Sequence, residues 1–213
     1  MNRIIILITL FIFSLNAYDF KLNDNDIEKI NNSKMKSFIV KRLEIYEKLK
    51  TDIQDYELIR KLSHVNTFIN KIFPKHDIQS GIAMDYWATP KEFLIDGHGD
   101  CEDYAITKYF TLIELGIPKE KLYLSVVKVK TQKDLHMVLL YVEDKNKAPL
   151  VLDNLSFRVI PFTKRPTLTP KFAFNEIDSY LLTKEKFTKK VRLDWGKEDK
   201  WAGILNRVYK LNE

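Results

Sequence analysis

The chain has 213 residues, with 35 Lys or Arg against 29 Asp or Glu, a formal net charge of +6. At 45% hydrophobic and 30% charged residues, with only 6 Gly and 7 Pro, its composition excludes disordered, collagen-like and low-complexity classes. The single Cys excludes an intramolecular disulfide and a Cys-based structural zinc site, and the alternation of acidic and basic residues marks the excess charge as solvated surface, not a nucleic-acid footprint.

Arg3 precedes an apolar run, residues 4–13, broken only by the hydroxyl of Thr9; Ser14-Leu15-Asn16-Ala17 follows, and polar sequence begins. A positive residue, a short apolar stretch and a small residue are the pattern of a secretory signal peptide, with cleavage expected after Ala17. The run is shorter than the roughly 20 residues a membrane-spanning helix needs. The expected organisation is a signal peptide over 1–17 and one domain over 18–213, helical to residue 75 and carrying the chemistry beyond it.

Residues 24–72 read as helical. Ser33 is placed to cap a helix carrying Phe38, Ile39, Leu43, Tyr46 and Leu49 inward. A second stripe, Leu58, Leu62, Val65, Phe68, Ile69 and Ile72, recurs at spacings of three and four, with Pro74 as its stop. Residues 75–100 carry loop signals, Pro90 and Gly97-His98-Gly99. Residues 101–115 read as a helix ended by Gly116 and Pro118. Strands are then expected at 122–129, 136–142 and 150–153, with further short segments at 158–160 and 172–174. Lys184, Lys186, Lys189, Lys190 and Arg192 read as a solvated face. Helices followed by antiparallel strands give an α+β class.

Cys101 falls at a helix start, where free backbone N–H groups and the helix dipole favour a thiolate and an oxyanion. His136 opens a strand, and Asp153 ends the next. Hairpin-connected strands can place those two side by side, and a helix packed on the sheet can present the Cys to the imidazole, giving a nucleophile, a base and an orienting carboxylate. His64, His76 and His98 are less well placed. Asp100, Glu102 and Asp103 put three carboxylates within four residues at that helix start. Either simple capping or a hard divalent cation accounts for them.

The blocks Asp85-Tyr86-Trp87-Ala88-Thr89-Pro90 and Gly97-His98-Gly99-Asp100-Cys101-Glu102-Asp103-Tyr104-Ala105-Ile106, followed in order by Leu135-His136-Met137-Val138-Leu139 and Val151-Leu152-Asp153-Asn154-Leu155, closely resemble the bacterial transglutaminase-like cysteine proteinases, the LapG-like periplasmic proteases being the type. The resemblance spans roughly residues 66–175. It implies a papain-like fold with a transglutaminase-like core, its N-terminal helices packed on an antiparallel sheet, and calcium-dependent proteolysis in the periplasm. The implied substrate is the N-terminal region of a large surface adhesin, whose release disperses biofilm, and the implied regulator is an inner-membrane receptor for cyclic di-GMP. By position the catalytic triad is Cys101, His136 and Asp153, and the calcium ligands are Asp100 and Glu102, with Asp103 and Asp85. The Trp87 indole is a candidate second oxyanion donor beside the Cys101 backbone N–H, and Tyr86 and Trp87 are candidate partner anchors. A noncatalytic calcium-dependent binding module and a transglutaminase or acyltransferase share the same residues. The intact Cys, His and Asp favour an enzyme, and the absence of an amine-binding feature favours hydrolysis.

Overall fold

In the computed structural model, which describes residues 18–75 and 86–210, the N-terminal stripes resolve into α1 (Asp24–Asn32), α2 (Lys36–Ile53) and α3 (Leu58–Ile69). Asn23 caps α1 reciprocally: its side chain accepts from the Asp26 N–H, and the Asp26 carboxylate accepts from the Asn23 N–H, each at 2.9 Å. α2 buries Ile39, Leu43 and Tyr46 but leaves Phe38 64% exposed, because one residue is a rotation of about 100° away from the stripe. Ser33 does not cap α2. It closes α1, and its hydroxyl accepts the Met35 N–H at 3.1 Å in the link between the two helices. α3 buries Leu62, Val65 and Ile69 and stops at Ile69, so Pro74 belongs to a short strand, β1 (Phe73–Pro74).

The stretch expected to be loop contains a helix, α4 (Pro90–Asp96). Thr89 caps it, Pro90 occupies its first turn, Glu92 completes a capping box, and Gly97 closes it in the left-handed region at φ 74°. β2 (His98–Gly99) then pairs in parallel with β1, and α5 (Cys101–Glu114) follows with Cys101 as its first residue. α5 packs against α3 and α4 as well as strands of the main sheet, which is why it buries residues around most of its circumference, from Tyr104 to Leu112.

The sheet is antiparallel, in the order β6-β5-β4-β3-β7-β8-β9. Its strands are β3 (Leu122–Val129), β4 (Leu135–Tyr141), β5 (Leu150–Asp153), β6 (Ser156–Pro161), β7 (Leu168–Phe174), β8 (Ser179–Leu182) and β9 (Phe187–Val191). The pleat divides their apolar residues between two cores: Leu122, Leu124, Met137, Leu139 and Leu152 face the helices, while Tyr123, Val127, Val138, Leu140 and Val151 form a smaller cluster on the far side. The Lys-rich tail is solvated as expected, with Lys186, Lys189, Lys190 and Arg192 exposed, but the apolar residues beside them join that second cluster. Leu182 and Phe187 are buried in it, so β8 and β9 extend the sheet, and the exposed Lys189 and Lys190 charge its outer edge strand against further pairing. A closing helix, α6 (Lys200–Lys210), which the sequence reading did not foresee, buries Trp201, Ile204 and Val208 in the main core; Trp201 packs on Tyr109 at 5.5 Å. The fold is thus α+β, helices packed on an antiparallel sheet. No helix among the described residues is long and apolar enough to cross a membrane. The apolar run at 4–13 and the expected cleavage at Ala17 lie outside the described residues.

Candidate active site

β4 begins where β5 ends. Leu139 pairs with Leu152 and Tyr141 with Leu150, so the antiparallel register brings the end of β5 to the start of β4. His136 Nε2 lies 2.8 Å from Asp153 Oδ1, with the His136 side chain 5% exposed and that of Asp153 fully buried. An ionised carboxylate only accepts hydrogen bonds, so Nε2 carries the proton and Nδ1 keeps a lone pair for use as a base. Burial works against ionisation of Asp153. The His136 hydrogen bond and charge, the Leu155 N–H at 2.9 Å and the nearby Arg165 outweigh it and hold the carboxyl below the usual carboxylate range.

Two further side chains, which the sequence reading missed, fix this pair, and a third lies within reach of its charge. The Arg165 guanidinium donates to Asp153 Oδ2. Asn70 of α3 donates to the carbonyls of Asp153 (2.8 Å) and Ser156 (3.0 Å), tying the β5–β6 turn to the helical layer. Lys108, fully buried on α5, feels the charge of Asp153. Lys108 is seven residues from Cys101, two helical turns along nearly the same face, and that spacing was its one signal in the sequence.

Cys101 sits partly buried at the start of α5 and lines a cleft of about 620 Å³ together with Gly99, Asp100, Leu135, His136 and Leu155. Gly99 is required there: a Cβ would fall 2.4 Å from Asp103 Oδ2 and 2.7 Å from the Phe93 ring. The thiol donates to Glu102 Oε2 at 2.8 Å, not to the imidazole. Burial and then the Glu102 charge push the thiol well above its ordinary pKa, with Asp100 adding to the rise, while a backbone hydrogen bond from Met137 opposes it. In this arrangement burial, and after it the adjacent carboxylates, oppose the thiolate that the helix start favours.

Asp103 Oδ2 accepts the Asp100 N–H at 3.1 Å, and Oδ1 accepts the Ala88 N–H at 2.7 Å. Asp103 thus braces the start of α5 against the segment before α4, and each of its oxygens keeps a lone pair beyond these bonds. Asp100 and Glu102 keep hard oxygen donors on either side of Cys101, a donor set that suits calcium. Among the described residues no group of three acidic, His or Cys side chains converges as a metal site, and Asp85, the remaining expected ligand, lies outside them. Trp87 does not line the cleft. It is buried, stacked on Phe174 at 6.4 Å and edge-on to Trp195 at 6.2 Å, which makes it a packing residue in place of the expected oxyanion donor. Its carbonyl accepts from Arg207, which also lies over the half-exposed Tyr86 ring at 4.6 Å.

A cysteine at the N-terminus of a helix, packed on an antiparallel sheet that carries a buried His–Asp pair at the same cleft, defines a papain-like cysteine protease with a transglutaminase-like core. The chain belongs to the bacterial transglutaminase-like cysteine proteinases, whose family model matches residues 42–169. It is similar to Legionella pneumophila LapG in its EGTA-treated form, at 30% identity and a TM-score of 0.70 over 86% of this chain and 95% of that one. It is also similar to the calcium-bound form, at 30% identity and 0.67 over 85% and 98%. Among curated proteins nothing matches.

Proposed function

We propose that this chain is a calcium-dependent periplasmic cysteine endopeptidase, with Cys101 as nucleophile, His136 as general base and acid, and Asp153 as the group that orients the ring. Its substrate is the N-terminal region of a large surface adhesin, released on cleavage so that biofilm disperses, and its regulator is an inner-membrane cyclic di-GMP receptor. The observation that carries the catalytic reading is the buried Nε2–Oδ1 bond of 2.8 Å between His136 and Asp153, with His136 and Cys101 lining one cleft. Similarity to LapG, of which one structure is calcium-bound, supports the calcium reading, and the substrate and regulator readings rest on the family resemblance of the sequence blocks.

In this mechanism Cys101 Sγ attacks the scissile carbonyl carbon as His136 Nδ1 takes the thiol proton. The Cys101 backbone N–H, at the positive end of α5, faces the developing oxyanion. His136 then returns its proton to the leaving amine, and water resolves the thioester. Asp100 and Glu102 would hold calcium, with Asp103 and Asp85 further candidates. When bound, the ion would neutralise the carboxylate charge beside the thiol. Mature protein incubated with an adhesin N-terminal fragment and calcium is expected to give two products by intact mass, and Cys101→Ala none. Products carrying an added primary amine, when one is supplied, would identify acyl transfer instead.

A further inference from the structure

Asp153 is a fully buried carboxylate, and a buried charge needs a partner at every exposed lone pair. Oδ1 is satisfied twice, by His136 Nε2 at 2.8 Å and by the Leu155 N–H at 2.9 Å. Oδ2 is held by Arg165, from the segment between β6 and β7, which is itself 9% exposed. We propose that Arg165 is a positioning residue of the catalytic site: it locks the Asp153 carboxylate in the plane that His136 needs. This rests on the reading of Cys101, His136 and Asp153 as a triad.

Two cations approach Asp153, and their chemistry decides between them. Lys108 is fully buried, its Nζ has no hydrogen-bond partner among the described residues, and it lies 5.9 Å from the centre of the Tyr104 ring. Burial lowers it to about 7, so it is only partly charged at neutral pH. Arg165 stays charged throughout. Its Nη1 is buried without a partner, so it meets Asp153 at a single point, through Nη2. A lysine can reproduce a single-point contact, although it cannot reproduce a fork. Without Arg165, Oδ2 loses its donor, the carboxylate can turn about its terminal torsion, and the imidazole loses its fixed acceptor.

The test uses the mature protein labelled with ¹⁵N-histidine, with the His136 signals assigned by their loss in His136→Asn. Where the ring is neutral, wild type is expected to show one tautomer, protonated at Nε2. Arg165→Met is expected to show a mixture of tautomers, and Arg165→Lys the wild-type spectrum. On the adhesin fragment, kcat of Arg165→Met is expected to fall about tenfold to a hundredfold with KM changed less than about twofold, and Arg165→Lys to recover most of it. A wild-type ring spectrum in Arg165→Met would overturn the role, as would a folded Arg165→Lys as impaired as Arg165→Met. If Arg165→Met does not fold, Arg165→Lys decides alone: a single Nε2–H tautomer supports the role and a mixture overturns it. The ring spectrum needs no substrate, so a wild type that cuts nothing would refute the endopeptidase reading without touching this result.

Discussion

The Cys101 thiol is hydrogen-bonded to the carboxylate of its own neighbour, Glu102, at 2.8 Å. The proposed nucleophile and a candidate calcium ligand are therefore one coupled unit, and the carboxylate that, after burial, raises the thiol's pKa is the group a cation would neutralise. Calcium-stripped protein should alkylate slowly with iodoacetamide at pH 7, with the rate still rising through the alkaline range, because a raised thiol pKa leaves little thiolate at neutrality. Added calcium, or Glu102→Gln in its absence, should move that rate profile to lower pH. Identical profiles in all three would separate the thiol from the carboxylate.

Cleavage should stop in Cys101→Ala while the thermal midpoint stays close to wild type, since Ala is a mild change at a helix start. Asp153→Asn should retain residual activity, reduced by about 10²-fold or more, because an amide at that position no longer fixes the ring tautomer. Product formation from the adhesin fragment, followed by intact mass, measures both.

EGTA should inhibit cleavage and excess calcium restore it, and Glu102→Ala should stay inactive with calcium present, because the ion it no longer holds would fix the position of Cys101 as well as neutralise charge. Full activity of exhaustively stripped protein would remove the ion from the scheme and leave the triad standing. Asp103→Asn should differ from Glu102→Ala by lowering stability as well as activity, since Asp103 braces two backbone N–H groups.

Gly99→Ala should be destabilising by about 1–3 kcal/mol, the usual cost of forcing a methyl group into a filled site. The new Cβ would fall 2.4 Å from Asp103 Oδ2 and 2.7 Å from the Phe93 ring, and neither has room to withdraw. Urea midpoints of the two proteins give the difference.

Lys108 makes stability pH-dependent in a direction that can be worked out. Its folded pKa is lowered to about 7, while an unfolded lysine titrates near 10.4. Between those values the unfolded chain binds more protons, so this residue's contribution rises with pH across that window; its destabilising effect is full below about 7 and gone above about 10.4. Lys108→Met should therefore stabilise the protein most at pH 6.5 and least at pH 10.5, as read from urea midpoints at each pH.

The local pattern of the chain located the elements that carry Cys101, His136 and Asp153, and the family resemblance singled those three residues out. The apolar stripes and the β-branched runs located α5 and β3 to β5 to within a residue, and Cys101 and Asp153 fall at the ends of their elements. Those are short-range properties, set by helix and strand periodicity. The capping box of α4 was equally local, Thr89, Pro90 and Glu92 in sequence, but the neighbouring Pro and Gly signals concealed it. What only the tertiary structure decided were the relationships between distant segments. Arg165 reaches Asp153 only because the chain after β6 folds back over β5. Asn70 reaches the same turn only because α3 packs beside it. Trp87 became a packing residue, and the Lys-rich tail an edge of the sheet, because burial depends on neighbours far along the chain. The state of Cys101 follows the same reasoning: the helix start that favours a thiolate is visible in sequence, whereas the balance of burial and carboxylate charge that raises the thiol's pKa exists only once the chain has closed around it.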